Sequence, residues 1–284
     1  MNIKNLKNTL TTVILSTTCF INSAHAGLVV TQDNNANTLV SNILGSGVST
    51  SNISLTGANN AFGTFTGGAS AGIGIESGIM LSSGLVTSAV GPNSSTGTST
   101  SFGTPGDAQL SSFAGNTFDA ATLTFDFVSD GGNIFFNYVF ASEEYNEYVN
   151  SNFNDAFAFF LDGSNIALIP GTNTPVSINN VNGGNPVGTN ASNAQYFNNN
   201  NNNLFDIEYD GFTDVFTASF SGLSAGTHSI SLKIADTGDN SLDSTVFIQS
   251  NSFSDTQLNP IPEPATLAVF AVALFGLRSR KIKK

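Results

Sequence analysis

Positive charge is what this 284-residue chain has least of. Of its eight Lys and Arg residues, Lys4 and Lys7 precede one apolar run and Arg278, Arg280, Lys281, Lys283 and Lys284 follow another, which leaves Lys233 alone in between. All twenty Asp and Glu residues lie within 27–264, so that body carries one basic against twenty acidic side chains, a formal charge of −19. Such a surface repels phosphate backbones and anionic lipid, because nucleic-acid binding needs Lys and Arg to displace counterions. Divalent cations are its natural partners. The single cysteine, Cys19, sits in the first apolar run, so the body has no disulfide, thiolate ligand or thiol nucleophile. Histidine occurs only at His25 and His228, which removes His-rich zinc sites and leaves any Ser-His-Asp triad dependent on His228, read here as a surface residue at a strand start. Tryptophan, the commonest sugar-stacking side chain, is absent.

The two ends read as addresses. Lys4 and Lys7, the run Leu10–Ile21 and Ala24-His25-Ala26 have the layout of a secretory signal peptide over 1–26, cut before Gly27. The other end carries Pro262-Glu263-Pro264, an apolar stretch Ala265–Leu277 and the basic cluster; that stretch is short for a membrane span of about 17 to 25 residues but suits a brief stop with its charges facing the cytoplasm. This order resembles the PEP-CTERM sorting signal over 262–284. The resemblance implies an exosortase-type enzyme as partner, removal of the tail near Pro262–Pro264, transient inner-membrane insertion, and delivery to the cell surface or extracellular matrix of a Gram-negative bacterium.

Between the ends, abundant Gly, Asn, Ser and Thr, little charge and 24 Phe predict one all-β domain over 27–254, a single jelly-roll-like sandwich with an aromatic core and short helical segments; 255–261 is a linker. Ala36–Leu44 has helical spacing, closed by Gly45 and Gly47. Residues 61–90 look like short strands with glycine turns, and Gly91–Asp107 like a mobile loop. Leu123, Phe125 and Phe127 alternate with Thr122, Thr124 and Asp126, the pattern of a half-buried strand. Asp130–Asn133 reads as a turn, the Phe135 strand as covered on both faces, and 155–161, 166–169, 175–181, 204–210, 214–220, 227–235 and 243–253 as further strands. The asparagine run Asn198–Asn203 reads as an exposed loop.

Chemistry collects in three acidic groups. In Ser142–Glu147, Ser142 suits a helix cap with Glu143 and Glu144 in the first turn; alternatively a carboxylate turns inward to a cation. In Ala235–Ser244, Asp236, Asp239 and Asp243 with a central glycine are able to wrap oxygens around Ca²⁺ at about 2.3 to 2.6 Å, although the EF-hand order is missing; a solvated acidic turn is the alternative. Asp206-Ile207-Glu208-Tyr209-Asp210 puts three carboxylates on one expected strand face, superficially like a laminarinase-type glycosidase, but with Asp at both ends where the match fails; a water-facing edge fits better. The expected metal set is Glu143, Glu144, Asp155, Asp236, Asp239 and Asp243, holding Ca²⁺. No catalytic residue is assigned.

Phe140-Ala141-Ser142-Glu143-Glu144-Tyr145, Phe153-Asn154-Asp155, Ile178–Asn182, Tyr209–Thr213 and Ile234-Ala235-Asp236 through Ile248, with the upstream Gly78–Gly84, resemble the choice-of-anchor L domain over about 36–253. Ala158 stands where a glycine is usual. The resemblance implies a bacterial extracellular domain borne by alternative anchoring signals, with no established catalytic residues to inherit. The expected role is a surface or exopolymer-associated structural or binding module, its partner an extracellular polysaccharide or another surface protein. The rival is a carbohydrate-active protein, lectin-like or a glycosidase.

Overall fold

The structure, a computed structural model, describes residues 27–258. The signal segment, the Pro262–Pro264 motif and the apolar tail lie outside the described residues, among which no helix is long and apolar enough to cross a membrane. Eleven strands form one hydrogen-bonded network: β1 (Val29–Gln32), β2 (Ser49–Thr56), β3 (Phe62–Thr66), β4 (Ser77–Ser82), β5 (Thr117–Ser142), β6 (Ala156–Leu161), β7 (Ser164–Asn165), β8 (Phe197–Asn199), β9 (Gly211–Thr213), β10 (Phe216–Thr237) and β11 (Ser244–Gln249). Their ladders are antiparallel, in the order β1-β3-β4-β11-β5-β10-β6-β7, with β2 and β9 also on β5 and β8 on β9. Helices α1 (Ala36–Ile43), α2 (Gly68–Ala71) and α3 (Ala108–Ala114) are short. The all-β sandwich expected from the alternation and the Phe content is what forms.

Its making depends on one crease. The sequence expects a turn at Asp130–Asn133 and separate strands at 214–220 and 227–235. Instead β5 runs straight through, paired with β10 from Thr117↔Thr237 to Tyr138↔Phe216. The register slips between Ser221 and Leu223, opposite Gly131 and Gly132, whose φ values of +97° and +104° suit a residue without a side chain. The ladder bends there and does not end, and both strands pass from one layer to the other. Phe125 and Phe127, before the crease, and Phe136, after it, all meet Phe253, with ring centroids 5.2, 5.2 and 5.6 Å apart. Phe136 also reaches Phe159 of β6 at 4.8 Å. Each fully buried Phe contributes roughly 1.5–3 kcal/mol, so this aromatic centre is what holds the layers face to face.

The outer faces are covered in part. Met80, Val139, Ala141 and Phe247 face away from that centre, under Ile73, Ile75, Ile207, Tyr209 and Phe212. Helix α3, capped by the Asp107 carboxylate on Gln109 N and Leu110 N, seats Leu110 beside Ala158, Phe160 and Ala235. The Phe135 strand is therefore covered on both faces only from Tyr138 onward; before that its burial alternates. Helix α1 forms as expected, with Leu39, Val40 and Ile43 buried.

Three expected strands are absent. Residues 166–169, 175–181 and 204–210 make only isolated bridges: 166–176 close a turn with just two cross bonds, Ile169 N to Thr174 O and Val176 N to Ala167 O, and in the other two segments Asn side chains bond to nearby backbone in place of a ladder, Asn180 to Pro175 O, Asn182 to Ile178 O and Asn200 to Ile207 O. Asn200 is wholly buried, so the asparagine run is not simply an exposed loop. His228 is also not a surface residue: its ring is mostly buried, Nδ1 lying 2.6 Å from the Asp162 carboxylate and Nε2 3.0 Å from Ser224 O.

Candidate functional site

The crease brings both ends of β5 to one end of the sandwich. There Thr117–Asp119 and Ser142–Glu144 meet the start of β6 at Asp155, the end of β10 at Asp236, the start of β11 at Asp243, and Ser82–Gly84 after β4. Asp155 ties three of these elements together. Its Oδ1 accepts from Thr237 N at 2.9 Å and its Oδ2 from Ser244 Oγ at 2.7 Å. Glu143 N donates to Asp243 O, and Ser83 N to Ser244 O. Gly84 leaves room for Asp243, since a Cβ on it would fall 1.7 Å from an Asp243 carboxylate oxygen and would have to displace that side chain.

Eight carboxylates are buried in this end: Asp119, Glu143, Glu144, Asp155, Glu208, Asp210, Asp236 and Asp243, none more than 5% exposed. Of the six expected site residues, Glu143, Glu144, Asp155, Asp236 and Asp243 converge within the cluster. Asp239 stands half-exposed at its edge, its carboxylate accepting from Ser241 N. Ser142 does cap, accepting from Glu144 N at 2.9 Å, but turns follow it in place of a helix, and Glu143 and Glu144 point into protein and not at a helix N-terminus. Glu208 and Asp210 are not a water-facing strand edge, since both are buried. Asp119 escaped the sequence reading. It sits at a positive φ of +47° within β5, where Asp is tolerated, and only that local twist turns its side chain toward the cluster.

No positive side chain among the described residues neutralises this end. Lys233 is engaged elsewhere, 2.6 Å from Asp107. What reaches the carboxylates is the 91–107 segment, expected to be mobile and found pinned across them. Asn93 donates to Asp210 at 2.6 Å, Ser94 and Thr98 hydroxyls to Glu208 at 3.0 and 2.6 Å, and Thr100 N to Asp243 at 2.9 Å. Phe102 N and Thr104 N donate to Asp119 at 2.8 and 2.5 Å. This strap is a run of neutral donors laid over buried acids.

The donors do not suffice. No donor meets either carboxylate oxygen of Glu143 or of Asp236 in full hydrogen-bond geometry, although the Thr98 N–H lies toward Glu143 and the Ser83 hydroxyl toward Asp236, and one oxygen of Glu144 and one of Asp210 also have no partner. Burial pushes Glu143 up to about 10, with the charges of Asp210 and Glu208 adding to it. Burial raises Glu144 to about 9, with Asp155 adding, and Asp155 to about 8 against its two hydrogen bonds. Asp236 is raised well above the ordinary range by burial and then by Asp155, and Asp243 to about 7 by burial. Unpaired buried charge costs several kcal/mol per ion, so at neutral pH these groups either hold protons or share a cation.

The donor set is entirely hard oxygen, which suits Ca²⁺ over a transition metal. Among the described residues no three His, Cys, Asp or Glu side chains stand as a ready-made metal cage. The acids lie within charge–charge range of one another, and an ion between them would draw in a pair of carboxylates with hydroxyl, carbonyl or water oxygens.

Compared with known families, residues 29–254 match the family model described as Choice-of-anchor L domain, and residues 260–282 match the PEP-CTERM protein-sorting motif. Both are sorting or anchor-type families and not enzymatic ones. Comparison with curated proteins and with solved structures gives no match.

Proposed function

The chain belongs to the choice-of-anchor L domain family and is an exported, surface-directed protein sorted by an exosortase-type system; from that premise we propose that its body is a structural or binding module whose acidic end holds Ca²⁺. The observation that carries this reading is the set of buried carboxylate oxygens without partners on Glu143, Glu144 and Asp236, in an end of the molecule to which no Lys or Arg comes among the described residues. Glu143, Glu144, Asp155, Asp236 and Asp243, with Asp239 at the rim, are the acids from which a pair of carboxylate ligands would come, hydroxyl, carbonyl or water oxygens completing the shell. Bound Ca²⁺ supplies the positive charge that the strap's neutral donors lack. The chain's part is to gather the ends of both layers around it: Asp155 links β6 to β10 and β11, and Asp243 links β11 to the strap. The same reading places the protein on the outer surface or in the exopolymer of a Gram-negative bacterium after transient anchoring in the inner membrane, with an extracellular polysaccharide or a surface protein as its partner.

A glycosidase would need two carboxylates facing one another across an open aromatic cleft. Glu208 instead lies under the strap with three hydrogen bonds from Ser94 and Thr98, which favours the binding module.

Calorimetric titration of the exported protein with CaCl₂, beside thermal melts in chelator and in Ca²⁺, tests the proposal. Binding heat and a rise in Tm of about 10 °C at saturating ion are expected. Absence of both overturns it.

A further inference from the structure

A cleft of about 390 Å³ opens beside the acidic end, between the end of α3, the 151–154 turn and Thr237-Gly238. That size lies within the roughly 300–1,000 Å³ of small-ligand sites; such sites are mostly apolar, whereas polar and apolar atoms share this lining about equally, the polar part coming from amides and hydroxyls with no charged side chain. Its floor is rigid. Asn154 accepts from Asn179 N at 2.8 Å, and the Asn179 amide donates to Ser151 O at 2.9 Å while accepting from Asn150 N. Its walls are free to bind: Asn116 and Asn152 are exposed, with side-chain amides that have no protein partner among the described residues. Thr237 lines the same cleft with its methyl, 3.8 Å from where a Cβ on Gly115 would stand, while its hydroxyl is buried behind the wall without a partner. Two exposed aromatic rings lie close by in the chain, Phe113 next to Ala114 and Tyr148, which packs edge-on to Phe153 at 5.3 Å.

We infer that this cleft binds a neutral, hydroxyl-rich glycan chain. A primary amide presents one acceptor and two donors, which matches a sugar hydroxyl that both gives and accepts. An anionic polymer is repelled by a body of charge −19. A peptide would seek a free sheet edge or apolar side-chain pockets, and the cleft offers neither. The wall is also wired to the acidic end, because Thr237 N donates to Asp155 Oδ1 and Gly238 N to Asn116 O. Holding Asp155 in place therefore holds the cleft in shape. Only this dependence on Ca²⁺ rests on the cation proposal; the chemistry of the cleft stands apart from it.

The test applies the exported protein to immobilised neutral gluco-, manno- and galacto-oligosaccharides, with oligouronates and an Asn/Ser-rich peptide as comparators, in Ca²⁺ and in chelator. Retention on at least one neutral glycan is expected, weakened about tenfold or more by the double variant Asn116→Ala/Asn152→Ala, two surface changes that should leave Tm unmoved. No neutral glycan retained, equal retention by the variant, or retention on the peptide alone overturns the inference. Retention that is unchanged in chelator, from a protein that shows no Ca²⁺ heat, sinks the cation reading and leaves the cleft standing; Ca²⁺ heat without glycan retention does the reverse.

Discussion

The two ends of the sandwich treat charge in opposite ways. At the crease end, His228 meets Asp162 at 2.6 Å, and each partner shifts the other toward its charged form: the hydrogen bond that Asp162 accepts raises His228, and Asp162, against a burial penalty that is its largest single influence, is lowered by that bond together with the one from Ser229 N and the charge of His228. At the other end, eight carboxylates are packed together with neutral donors only. The first is an ordinary local pair that neutralises itself. The second is an electrostatic debt that the fold creates and leaves for something outside the chain to settle. Which end a residue occupies therefore decides what its removal does.

The largest effect is expected at Asp155. Asp155→Ala strands the Thr237 N–H and the Ser244 hydroxyl together and unties three elements, a loss of about 3–5 kcal/mol in a chemical melt. Asp155→Asn keeps one acceptor oxygen and sheds the charge, so it should cost far less in chelator while reducing the stabilisation by Ca²⁺. A mild effect of the alanine variant would mean that the acidic end is not the joint described here.

Next comes pH. The shifted carboxylates have folded values above their unfolded ones, so the native state binds more protons, and stability falls as pH rises from the unfolded values of 3.8 for Asp and 4.5 for Glu through the range to about 10 set by Glu143. In chelator, Tm should drop by on the order of 10 °C between pH 5 and pH 8, and saturating Ca²⁺ should flatten the profile. A flat profile in chelator would remove the contrast between the two ends.

Much of this was legible in the sequence, and the misses have physical causes. Alternation in Leu123–Phe127 revealed a half-buried strand, and the charge count located the imbalance before any coordinate. The convergence of Glu143, Glu144 and Asp155 with Asp236 and Asp243 follows from their all lying at strand ends. The strap is not legible in the sequence, because Ser, Thr and Gly have the same composition whether a loop is free or spends its N–H groups on buried acids. Gly131-Gly132 looks like a turn from sequence, since a crease and a hairpin ask for the same positive φ. Asp119 gave no signal, as its alignment depends on a single twisted residue in a long strand.

A smaller effect is expected of the strap. Ser94→Ala/Thr98→Ala removes two hydroxyl donors from Glu208 and should cost about 1–3 kcal/mol, as read by denaturant melts. The smallest belongs to the crease end. His228→Ala should cost about 1 kcal/mol in melts below pH 6.5. Because the folded value of His228 is raised, that contribution is complete below its unfolded value and fades as pH rises through the folded one, and it should be unaffected by Ca²⁺.

The crease also fixes where the chain leaves the sandwich. Ser254 and Phe135 exchange two backbone hydrogen bonds, so the chain departs toward its sorting motif only a few residues from Gly131-Gly132. From Phe135 to Ser142 the strand runs seven residues, roughly 23 Å, away from that exit. The acidic pole and its neighbouring cleft therefore lie at the end of the sandwich opposite the point where the described chain leaves toward the sorting motif.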